Sequence, residues 1–172
     1  MIVAALDIRD ARPTEGEAIR ALTLAAYEQY AAVLGPLWPM YRANIVETLA
    51  RVAPAEQIVA DRGGVLVGAV LLYPAGAPMP GGDRRTSGPE VRLLAVPPAE
   101  RGQGVAEGLM RECVRRARAA GATALLLHTT DMMQTAMRLY ERLGFTRDPA
   151  LDFRPAPAVL VKGFRLELGA AA

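Results

Sequence analysis

Cysteine and histidine are almost missing from this chain: Cys113 and His128 are the only ones among 172 residues. A single thiol excludes an internal disulfide framework and a cysteine-built zinc site, and it suits a reducing compartment. One imidazole leaves little from which to assemble a metal centre, so no metal is expected. Long hydrophobic runs are missing too, since no apolar stretch reaches the roughly 20 residues that a membrane-spanning helix needs. The opening run Met1 to Leu6 is short, is followed by Asp7, Arg9 and Asp10, and lacks the basic start and apolar core of a secretion signal. These features point to a cytoplasmic protein with no membrane partner. Nor does one sign of charge dominate. The 20 basic and 18 acidic side chains are interspersed for a net +2, so no basic stripe exists to follow a nucleic-acid backbone.

What is present is ordinary globular material, 52% apolar and 22% charged, enough for one domain over residues 1–172 with a real core. Ile2 to Arg9 reads as a first strand. Thr14 followed by Glu17 has capping-box spacing and predicts a helix to about Val33, with Ile19, Leu22, Ala26 and Tyr30 on one face and Gly35-Pro36 as its stop. A second helix spans Leu37 to Ala53, with Tyr41, Ile45, Leu49 and Val52 on one side. Gln57 to Asp61 and Val65 to Tyr73 are strands joined by the tight-turn chemistry of Arg62, Gly63 and Gly64. Pro74 to Pro89 is a loop rich in glycine and proline, with Asp83, Arg84 and Arg85 at its centre.

Beyond the loop, a strand (Glu90 to Val96), a helix (Gly104 to Ala120) and a strand (Ala124 to Thr129) form a unit that demands parallel pairing through a right-handed crossover. A helix from about Asp131 to Leu143, ended by Gly144, and two strands around Thr146 to Phe153 and Val159 to Leu168 complete the chain. Within this unit the turn Val96-Pro97-Pro98-Ala99-Glu100-Arg101-Gly102-Gln103-Gly104-Val105-Ala106 carries the chemistry. Small residues at 102, 104 and 106 let backbone amides converge at a helix N-terminus, where unpaired N–H groups and the helix dipole favour a diphosphate. A nucleotide P-loop would need Lys and Ser or Thr after the last glycine, and Val105-Ala106 stand there instead. A dinucleotide fingerprint fails on spacing, because Gly108 comes one residue too late after Gly102 and Gly104.

Arg101, Gly104 and Ala106 form an R-x-x-G-x-A pattern after Leu93-Leu94-Ala95-Val96. Downstream, Ala136-Met137-Arg138-Leu139-Tyr140-Glu141-Arg142-Leu143-Gly144-Phe145 forms A-x-x-L-Y-x-x-x-G-F. Together these resemble the coenzyme A loop and the closing helix of the GNAT superfamily of N-acetyltransferases. The resemblance implies an α+β, three-layer fold: a mixed, mostly antiparallel twisted sheet of about seven strands with a parallel pair splayed at its centre, flanked by about four helices. It implies acetyl-CoA as co-substrate and no metal. The backbone of Leu94, Ala95 and Val96 would hold pantetheine by strand addition, and Arg101, Gly102, Gln103, Gly104, Val105 and Ala106 would hold the pyrophosphate.

By the same resemblance Tyr140 touches the coenzyme A sulfur and supplies its proton, and Glu90 stands where some members carry a general base. The plainer reading of Glu90 is a solvated strand-end carboxylate that attracts a cationic acceptor. His128 could reach the acceptor side or be structural, and Cys113 lies on the apolar stripe of its helix. Met133 occupies the place of a family asparagine that bonds pantetheine, with Gln134 beside it as a substitute donor. Tyr27, Tyr30, Trp38 and Tyr41, with Glu28 and Glu47, could cradle an amine bearing an apolar or aromatic body. The function expected is direct transfer of an acetyl group to a primary amine, a small molecule in preference to a protein amine, by a possible homodimer. The alternative is a coenzyme A-binding sensor or interaction module.

Overall fold

The computed structural model describes residues 4–80 and 82–170, so the Ile2-Val3 end of the expected first strand lies outside the described residues. Eight strands form the sheet in the order β1-β2-β3-β4-β5-β8-β6, with β7 paired to β8. They are β1 (Leu6–Asp10), β2 (Glu56–Arg62), β3 (Val65–Tyr73), β4 (Glu90–Ala95), β5 (Ala124–Thr129), β6 (Thr146–Arg147), β7 (Phe153–Ala156) and β8 (Val159–Glu167). Among the described residues only β4 and β5 run parallel; the other pairs are antiparallel. The helices are α1 (Gly16–Tyr27), the short α2 (Ala31–Leu34), α3 (Trp38–Ala50), α4 (Val105–Ala119) and α5 (Gln134–Arg142).

The sheet separates two cores. On one face α4 and α5 place Leu109, Met110, Cys113, Leu139 and Tyr140 against Val67, Val91, Leu125 and Leu127. On the other, α1 and α3 place Ile19, Leu22, Tyr27 and Ile45 against Val59, Leu71, Tyr73 and Leu93. Central strand β3 serves both, which is why Val67 to Tyr73 is one unbroken buried run. Helix α4 follows from its pattern: Val105, Leu109, Met110, Cys113 and Ala117 recur every three or four residues and are buried. Cys113 is therefore core, and burial pushes its thiol up to about 12. No described helix is long and apolar enough to cross a membrane.

Four expectations are corrected. The chain enters α1 through a 3₁₀ turn at Pro13–Glu15, where the Glu15 carboxylate accepts from the Arg12 N–H at 2.7 Å; Thr14 and Glu17 form no capping box. The first helix ends at Tyr27, where the Ala26 carbonyl accepts from the side chains of Gln29 at 2.8 Å and Arg101 at 3.3 Å. The second helix stops at Ala50. The strand expected from Thr146 to Phe153 is two strands. Asp148 accepts from the Ala150 N–H, and the 3₁₀ turn Pro149–Leu151 interrupts pairing; the eight strands of the described residues agree with the expected sheet of about seven.

Candidate active site

The parallel pair β4–β5 stays in register only at Glu90–Leu126 and Val91–Leu127. Beyond that the strands part, and a bulge in β4 directs the parting. On the β3 side Arg92 pairs with Leu71 and Ala95 with Ala69, so Leu93 and Leu94 together oppose a single residue, Val70. Leu93 takes a left-handed φ of 52°, a conformation costing about 1–2 kcal/mol for a residue with a Cβ. The bulge sets Arg92 and Leu93 on the α1–α3 face in succession: Arg92 reaches Asn44 of α3, and Leu93 packs in that core, while Leu94 and Val96 pack on the α4 side. The edges of Leu94 to Val96 and of His128 to Thr129 that face the split have no strand partner among the described residues.

The loop expected to bind phosphate ends at the split. Gly102 and Gly104 have φ of 73° and 78°, values that suit glycine, and a Cβ built on either meets nothing within 4 Å. Their role is backbone shape, not packing. Gly104 caps α4, and no side chain caps the helix start, so the amides of its first turn stay free for an anion. Val105 is core and Ala106 packs at its rim. Arg101 holds the loop against α1, reaching the Val96 carbonyl at 3.2 Å and Gln29 and Ala26 at 3.3 Å. The Gln103 side chain turns outward to Arg62 at 2.7 Å.

Residues on either side of the split meet across it. Tyr140, on α5, is 7% exposed; burial pushes its phenol up, with Tyr30, Cys113 and Tyr41 close enough to add to the shift. At the end of β5, the Thr129 and Thr130 hydroxyls are buried without a partner among the described residues. Gln134 donates to the Asp131 carbonyl at 3.1 Å, and Met133 packs with the α1–α3 core. Neither side chain offers the asparagine-like contact.

On the α1–α3 face Glu90 is 2% exposed, so it is no solvated strand-end carboxylate. Arg84, from the long loop, grips it with two bonds of 2.9 and 3.0 Å, and His128 Nδ1 lies 2.8 Å from its Oε1. Burial alone would raise the Glu90 pKa; the bonds from His128 and Arg84 outweigh it and draw the carboxyl down to about 2. His128 Nε2 lies 2.8 Å from the Leu151 carbonyl. Leu151 can come this close because position 163 is glycine; a Cβ there would sit 2.2 Å from the Leu151 Cβ. Phe153 closes the cluster, with its ring 5.2 Å from His128 and the Arg84 guanidinium 4.7 Å from its centroid.

The facing wall is aromatic: Tyr27 packs 5.8 Å from Tyr30 and 6.2 Å from Tyr41, and Trp38 stacks 6.2 Å from Tyr41. Glu28 and Glu47 are exposed. The sequence pattern places Arg84 at the loop centre and gives neither it nor Arg92 a role in the site. The signals were an arginine pair in a loop of glycine and proline, and a lone arginine inside the apolar strand Glu90–Ala95.

A mixed sheet split at its centre, with a bare strand edge leading to an uncapped helix start, is the architecture of the coenzyme A-dependent acyltransferase class. The chain belongs to the GNAT family of acetyltransferases, whose model matches residues 18–145. N-acetyltransferase family 8 member 2 of Rattus norvegicus is 36% identical over 89 residues, or 52% of this chain and 38% of that protein. The mycothiol acetyltransferase of Thermobispora bispora is 36% identical over 98 residues, 55% of this chain and 31% of that protein. The chain thus spans well under half the length of either relative. Among solved structures, a GNAT family acetyltransferase from Brucella melitensis in complex with acetyl-CoA superposes with a TM-score of 0.64 at 23% identity, over 98% of this chain and 92% of that one. The ribosomal-protein-S18-alanine N-acetyltransferase of Escherichia coli gives 0.66 at 15% identity, over 98% and 97%. At these identities the likeness speaks for the fold alone.

Proposed function

We propose that the chain transfers an acetyl group from acetyl-CoA directly to a primary amine, the acceptor being a small molecule. The observation that carries this reading is an unpaired β4 edge that leads to the free amides at the α4 start, with Tyr140 buried in the core cluster against which Leu94 and Val96 pack. The edge of Leu94, Ala95 and Val96 suits the amides of a pantetheine arm, and the amides of Gly102 to Ala106 suit a pyrophosphate. In the transfer a C–N bond forms as the C–S bond breaks, the amine gives up one proton, and the sulfur takes one. Tyr140 is the donor to sulfur: burial keeps the phenol protonated until a thiolate develops beside it. For Glu90 the geometry supports a positioning role over proton abstraction, because a carboxylate drawn down to about 2 has little affinity for a proton. It orients Arg84 and His128, and the amine proton passes to water.

The test is release of free thiol from acetyl-CoA in the presence of an amine panel. Turnover with at least one primary amine, lowered in Tyr140→Phe, is the expected result. Met133 at the asparagine position favours one other reading, a coenzyme A-binding module without transfer. Tight binding with no turnover over a broad panel would establish that reading instead.

A further inference from the structure

The charges on the acceptor side do not match a bare ammonium ion. Among the described residues Glu90 is the buried carboxylate of this face, Glu28 and Glu47 being exposed, and both its oxygens are occupied by Arg84, with His128 sharing Oε1. Two residues on, beside the β4 bulge, Arg92 is half-buried, bonds only the Asn44 Oδ1 at 2.7 Å, and has no ion pair among the described residues. Its charge is felt by the phenols of Tyr27, Tyr41 and Tyr73, where it opposes the upward push of burial. Tyr73 is the diagonal neighbour of Arg92 across the β3–β4 pair, since Leu71 faces Arg92 and Tyr73 faces Glu90. Its hydroxyl is buried with no partner among the described residues. A half-buried guanidinium with donors to spare and an orphaned phenol nearby form a cationic, donor-rich corner.

We infer that the acceptor is an amine carrying its own carboxylate, an α-amino acid with an apolar side chain, and that Arg92 binds that carboxylate with Tyr73 as auxiliary donor. This rests on the acetyltransferase reading of the site and names its substrate class. A planar guanidinium matches a carboxylate in two parallel bonds. The same cation disfavours protonation of the nearby amine, which must be neutral to attack. The apolar side chain finds Tyr27, Trp38 and Tyr41, with Leu37 and Met40 exposed one turn from Tyr41 and Asn44 on the α3 side.

The experiment measures binding and turnover separately, using L-phenylalanine, L-phenylalaninamide and 2-phenylethylamine. With coenzyme A bound, calorimetry should give L-phenylalanine a dissociation constant at least about tenfold below those of the two uncharged-tail amines. Arg92→Met should bring the ratio close to one, and Arg92→Lys should retain part of it. Acetyl-CoA binding to each variant, followed by thermal shift, verifies that it has folded. Equal or tighter binding of the amide, or an unchanged ratio in Arg92→Met, overturns the inference. If thiol is released with 2-phenylethylamine and not with L-phenylalanine, the inference falls and the acetyltransferase reading stands. If L-phenylalanine binds through Arg92 and no thiol is released, the carboxylate site stands and the transferase reading falls.

Discussion

The two halves of the cleft are made of different materials. The side proposed for the coenzyme is backbone: a strand edge freed by the β4–β5 parting and amides at two left-handed glycines. The side proposed for the acceptor is side chains drawn from distant segments in two hydrogen-bonded groups, Arg84 of the loop with Glu90 of β4 and His128 of β5, and Arg92 of β4 with Asn44 of α3. A backbone site tolerates substitution of almost any side chain except at its glycines. A side-chain network can change its ligand through single substitutions. The cleft therefore combines a fixed donor half with an adjustable acceptor half.

The first test addresses the backbone half. Gly104→Val forces a β-branched residue into φ 78°, at a cost of about 1–3 kcal/mol, or relaxes the loop out of its anion-binding shape. The dissociation constant for acetyl-CoA should rise at least about tenfold by calorimetry. A variant that bound as tightly as the parent would remove the backbone account.

Next comes the side-chain half. Glu90→Ala leaves Arg84 and His128 without their shared anion, and breaking a buried pair in this way costs roughly 3–5 kcal/mol of stability in denaturant titrations. The pH dependence has a definite sign. The folded carboxyl lies near 2, below its ordinary 4.5, so the contribution of Glu90 is whole above about pH 4.5 and fades as pH falls toward 2. Glu90→Gln should lose that part of the acid slope between the two values. The smallest effect is expected far from the cleft. Arg111→Ala removes an exposed i,i+4 pair with Glu107 on α4 and should change stability by less than about 1 kcal/mol.

The same contrast explains what could be read from the sequence. The strand-turn-helix around Gly104 was legible because its conformation is local and its residues are adjacent. Gly144 likewise ends α5 in a left-handed cap, with φ 94° and the Phe145 N–H bonded to the Tyr140 carbonyl at 3.0 Å. Glu90 was visible as a candidate and its surroundings were not. His128 is 38 residues away from it, Asn44 is 48 from Arg92, and no pattern of spacing announces such pairs. The break at Pro149 was hidden for another reason: the interruption depends on the Asp148 cap and on the Leu151 turn packing over Gly163. Capping at Glu15 was obscured by a competing Thr14–Glu17 spacing, and Arg9, reaching Glu15 at 2.7 Å, favours the earlier carboxylate.

The most direct test of the whole account uses one substitution and two readouts. In Tyr140→Phe, acetyl-CoA affinity and acetyl-CoA-dependent thiol release are measured on the same protein. The phenol is assigned to proton donation and the backbone to binding, so turnover should fall about 10² to 10⁴-fold while the dissociation constant stays within a few-fold of the parent. Unchanged turnover, or affinity lost in step with it, would contradict the division of labour across the split.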